Sequence, residues 1–115
     1  MLVVLPEAMP HLIAATRQEL SRLEAIRRLS NDTWPDEYDL NDGPLLEMAL
    51  HALALAQSNS SDQVDLSGKA LWFLTGLLPE YVSRNFGDLS DQEYEALRSV
   101  YQQKPVSYAG EFPAR

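Results

Sequence analysis

GPLLEMALHALALAQ, residues 43–57, decides the fold class of this chain. The body of the segment is almost wholly Leu, Ala and Met, residues that lose little freedom in an α-helix. Asp42 or Gly43 supplies a cap, and Pro44 suits the first helical position, where a backbone N–H has no partner to lose. The spacing predicts a helix over 44–57. Only Glu47 and His51 interrupt its apolar body. Four residues apart, they share one narrow polar stripe. A helix this apolar is expected at the centre of a helical bundle.

The flanking segments supply the other helices. PEAMPHLIAATRQELSRLEAIRRLS predicts a first helix over roughly 7–30, with Pro6 and Pro10 at its entrance. Ile13, Leu20, Leu23 and Ile26 fall on one face, and Arg17, Arg22, Arg27 and Arg28 lie mostly elsewhere. SNSSD, residues 58–62, reads as a loop. SGKALWFLTGLLPEYVSRNF, residues 67–86, predicts a third helix, weakened at Gly76 and kinked or split at Pro79. Gly87 suits a left-handed C-terminal cap. SDQEYEALRSVYQQK begins a fourth helix at residue 90, with Ser90 and Glu93 in capping-box spacing. Tyr94, Leu97 and Tyr101 form its apolar stripe, and Pro105 closes it. The tail VSYAGEFPAR has no helical period; Tyr108 and Phe112 are available to pin it. MLVVL, residues 1–5, has the composition of a short strand but no evident partner. The expectation is one all-α domain over residues 1–115, a compact bundle of four main helices.

Composition narrows the function. A chain of 115 residues predicts one domain with a real core. The absence of cysteine removes disulfides, thiolate catalysis and Cys-ligated zinc. MLVVLP lacks a basic flank and is too short for a signal or membrane segment, so a cytoplasmic protein without membrane association is expected. A net charge of -8 argues against nucleic acid, whose phosphates call for clustered Lys and Arg. The charge is also uneven. Residues 31–66 hold eight acids and no base, whereas 1–30 hold three acids and four bases, and 67–115 hold six acids and five bases. The connector NDTWPDEYDLNDG, residues 31–43, carries five of those eight acids.

That connector fails as a calcium loop of the EF-hand type. With Gly43 at position 6, positions 1, 3 and 12 fall on Tyr38, Leu40 and Ala49, of which none is a carboxylate. An irregular carboxylate site within 32–42 is the remaining metal reading, and a solvated linker is the plainest one. Glu47 and His51 are too few to hold a metal between them. His11 stands at a helix entrance beside Pro10, and nothing marks a nucleophile for it to activate. No G-x-S-x-G and no Gly-rich phosphate loop occurs. The expectation is a protein that is not an enzyme and uses no metal or cofactor. Binding fits better. Trp34 and Tyr38 lie among Asp32, Asp36, Glu37, Asp39 and Asp42, an arrangement of aromatic anchors with acids that steer a basic protein partner. The same aromatics could instead fold the connector onto the bundle. Trp72 and Phe73 point about 100° apart on one helix, and core packing is expected for one of them.

The order of these features resembles small bacterial immunity proteins against type VI secreted toxins, especially those that inhibit NAD(P)-degrading effectors. The matching pieces are WPDEY (34–38), LLEMALHALALAQ (45–57) and FLTGLLPEYVSRNFGDLSDQEYEALRSVY (73–101), within a likeness that spans residues 15–101. Pro79, inside the third helix, departs from the family pattern. The resemblance implies an inhibitor that binds a toxin's catalytic domain and blocks access of substrate. The alternatives are a helical adaptor or homodimer whose core is completed by the 44–57 helix, and a metal protein or enzyme using the carboxylates of 32–42.

Overall fold

A computed structural model describes residues 1–29, 42–66, 68–104 and 112–114. It is predominantly helical, as the pattern predicts. A short strand β1 (Leu2–Val3) leads to α1 (Met9–Leu29), then α2 (Asp42–Ser58) and a second short strand β2 (Gln63–Val64). The bent pair α3 (Gly68–Gly76) and α4 (Leu78–Arg84) follows, then a 3-10 turn (Phe86–Asp88) and α5 (Asp91–Tyr101). Counting α3 and α4 as one broken helix gives the expected four-helix arrangement. α2 packs against α1 on one side and α3 on the other, and α5 closes over α3 and α4.

The break falls where proline requires it. Pro79 has no N–H to offer the carbonyl of Thr75, so the ladder stops at Gly76 and restarts with Pro79 in the first turn of α4. Thr75 is wholly buried and turns its hydroxyl to the carbonyl of Leu71 at 2.9 Å. Thr16, equally buried, does the same to Leu12 at 2.7 Å. α4 ends earlier than the glycine suggests. The backbone N–H of Asn85 and its side-chain amide both donate to the Tyr81 carbonyl, at 3.1 and 2.8 Å. Gly87 then lies in the 3-10 turn, without the left-handed φ expected of it.

α2 ends on a Schellman motif. The N–H of Ser61 reaches the Ala56 carbonyl at 2.8 Å, and that of Ser60 reaches Gln57 at 3.1 Å. Ser60 takes the left-handed position at φ 52°, where glycine is usual. This turn feeds β2, which pairs antiparallel with β1 in the register Leu2↔Val64 and Val3↔Gln63. MLVVL therefore does have a partner, some sixty residues downstream in a polar segment that shows no strand alternation. On the far side of β1, the Gln103 amide accepts from the Val3 N–H at 2.9 Å and donates to the Val3 carbonyl at 2.7 Å.

The core gathers Leu2, Val4, Leu12, Leu53, Leu74, Leu78, Val82, Leu97 and Val100, all fully buried. The stripe Tyr94, Leu97 and Tyr101 is buried as expected, and Phe112 from the tail rests between the two tyrosines, with ring centroids 5.4 and 5.3 Å away. Tyr108 lies outside the described residues. Two expectations need correction. Neither Trp72 nor Phe73 enters the core: Trp72 is exposed, Phe73 is half-buried, and Leu71, Leu74 and Thr75 take the inward positions. Nor is α2 buried all round. Leu46, Ala49, Leu53 and Ala56 face the core, while Glu47, Met48, His51, Ala54 and Leu55 face outward. A bundle this small covers α2 from only part of its circumference.

Candidate functional site

Of the residues favoured for partner contact, Asp32, Trp34, Asp36, Glu37, Tyr38 and Asp39 lie outside the described residues. Asp42 is the first residue of α2, and its side chain is likewise outside them. The remaining acids of the base-free stretch are Glu47 on α2 and Asp62 and Asp65 around β2, and all three are exposed. Among the described residues none of them forms an ion pair with Lys, Arg or His.

Asp62 lines a pocket beside Pro6 and Gln57, whereas Asp65 lines a different groove of about 380 Å³, and Glu47 lies one turn from His51 on its α2 wall. Its two walls follow from the periods of the elements that build them. On α2, Met48, Ala52 and Ala56 recur every four residues, as do His51, Leu55 and Asn59 leading into the Schellman turn. Opposite, Ser61, Gln63 and Asp65 recur every second residue along an extended segment. Leu2, Val64 and Leu66 point the other way into the core, which fixes the register of the outward set. Met48 and Leu55, two turns apart on one face, remain 61% and 56% exposed. The composition of residues 43–57 gave no sign of this, because an apolar helix reads the same whichever side is covered.

A second feature is polar. The imidazole of His11, at the start of α1, lies between Tyr81 of α4 and Glu93 of α5. Tyr81 Oη is 2.7 Å from Nδ1, and Nε2 is in close contact with the Glu93 carboxylate. A carboxylate only accepts, so Nε2 carries the proton that it donates to Glu93. The Tyr81 hydroxyl meets Nδ1, the other ring nitrogen. Glu93 also completes the capping box of α5: it accepts from the Ser90 N–H at 3.0 Å, and its own N–H donates to the Ser90 hydroxyl at 3.1 Å. The hydrogen bond from His11, followed by those from Ser90, holds the Glu93 carboxyl down to about 2. Tyr81 shifts the opposite way, raised by burial and then by the Glu93 charge. A phenol that keeps its proton more tightly is the reverse of an activated nucleophile. The cluster acts as a fastening that ties the start of α1 to α4 and α5. Sequence marked the capping box but not the fastening, whose contacts span 70 and 82 residues.

Among the described residues no group of three or more His, Asp or Glu is placed to hold a metal. No helix among them is long and apolar enough to cross a membrane. No known protein family, curated protein or solved structure matches the chain.

Proposed function

We propose that this chain is a non-enzymatic, acidic binding protein, an immunity protein that blocks the active site of a cognate toxin domain bearing a basic surface. The observation that supports the reading most is the placement of charge. All the net negative charge falls in residues 31–66, and the described acids of that stretch are exposed without basic partners. Such a field speeds encounter with a basic surface and weakens as salt rises. The exposed Met48 and Leu55 add the apolar contact that charge alone does not provide. The likeness to type VI immunity proteins supplies the toxin as the kind of partner.

Co-expression with the catalytic toxin domain encoded beside it tests the reading. Growth should be restored, and a complex should purify at low salt and weaken at high salt. A toxin domain that stays lethal and leaves no complex would refute it. The exposed apolar row also favours a second reading, a homodimeric or adaptor module, for which a solution mass of two chains is the expected result.

A further inference from the structure

We propose that the groove between α2 and β2 is the seat of a cationic segment of the partner, which lays an apolar side chain between Met48 and Leu55 and sets Lys or Arg against Asp65 and the neighbouring Glu47. The inference rests on the reading of the chain as a binder of a basic protein.

Three observations converge on this occupant. The first is shape: a helical ridge and a strand ridge, each keeping its own period, enclose an open trough of about 380 Å³. The second is exposure. Met48 and Leu55 stand more than half exposed on the same face as His51, whereas Leu53 and Ala49 of the same helix are fully buried. The outward apolar residues are therefore not needed to hold α2 in place. The third is charge. No base occurs between residues 31 and 66, and α2 has none in its last turn to offset the negative end of its dipole. An apolar trough with Asp65 on its wall, Glu47 beside it and no base in the stretch that builds it fits an apolar side chain flanked by cations. It fits a second copy of this chain poorly, because the copy would bring the same acids against these.

The test is an NMR titration of the full chain with a synthetic peptide alternating Lys and Leu. It is compared with one peptide having Ser for Leu and another having Glu for Lys. The Lys/Leu peptide should shift resonances of Met48, His51, Leu55, Gln63 and Asp65. The other two should bind about tenfold more weakly, the scale of a hot-spot truncation. The M48S/L55S variant should lose about the same factor, and E47Q/D65N should flatten the salt dependence. All four substituted positions are exposed, so both variants should keep the thermal midpoint of the parent. If the Lys/Leu peptide shifts only residues 31–41 and ignores M48S/L55S, the groove is refuted while the basic-binder reading stands. If no peptide binds, both fail. A dimer that M48S/L55S splits would give this face to a second copy and overturn the proposal.

Discussion

The junction where α1 meets α4 and α5, and the face where α2 meets β2, both present carboxylates, and they treat them in opposite ways. At the junction Glu93 is met by His11 and by Ser90. Around it, Glu80 pairs with Arg84 at 2.6 Å and Glu95 with Arg98 at 3.7 Å. On the other face Glu47, Asp62 and Asp65 form no ion pair among the described residues. Exposed pairs such as Glu80–Arg84 add little stability. Their effect here is to cancel charge locally, so the field of the molecule is set by the side that lacks bases. One region cancels its charge internally; the other leaves its charge exposed.

Substitutions can break or sharpen that contrast. The largest effect is expected where α2 turns from one role to the other within two residues. Leu53→Ala removes a fully buried side chain and should cost about 2–5 kcal/mol in urea unfolding. Leu55→Ala, at a position 56% exposed, should fall within about 0.5 kcal/mol of the parent. Equal costs would mean that the outward face is not outward. At the junction, Tyr81→Phe removes the hydroxyl that bonds His11 Nδ1 and should cost about 1 kcal/mol by the same measurement.

Acid should weaken the junction. The Glu93 carboxyl lies near 2 when folded and at its ordinary 4.5 when unfolded. Its contribution to stability is therefore full above about 4.5 and lost as pH falls from there through about 2. Glu93→Gln should flatten the stability profile in that window, read by denaturant titrations at stepped pH. An unchanged slope would remove the His11 and Ser90 contacts as the cause. The smallest effect belongs to the turn that walls the groove. Ser60→Gly relieves a left-handed serine and should raise stability by about 0.5 kcal/mol, seen as a small rise in Tm.

What could be read in the sequence was local. The capping box at Ser90 and Glu93, the break at Pro79 and the helix over 44–57 each depend on residues within a few positions of one another, and each is present. What could not be read depended on distance or on which side a neighbour takes. His11 meets partners 70 and 82 residues away. β1 finds its partner in a segment with no strand composition. The outward face of α2 is set by how much of its circumference α1, α3 and β2 cover, which composition does not encode. The Gly87 expectation failed because Asn85 closes α4 with its own amide, a side-chain solution that competes with the glycine one. The acidic connector, weighed as the contact surface, lies outside the described residues apart from the backbone of Asp42 and Gly43.

The amide of Gln103 has a consequence for solubility. A two-stranded sheet has two open borders, each a template on which another chain can add a strand. Gln103 presents one donor and one acceptor to Val3, as a neighbouring peptide group would. One side chain thus stands in for a third strand and blocks edge-to-edge growth beside the exposed apolar residues Met1, Val3 and Leu5.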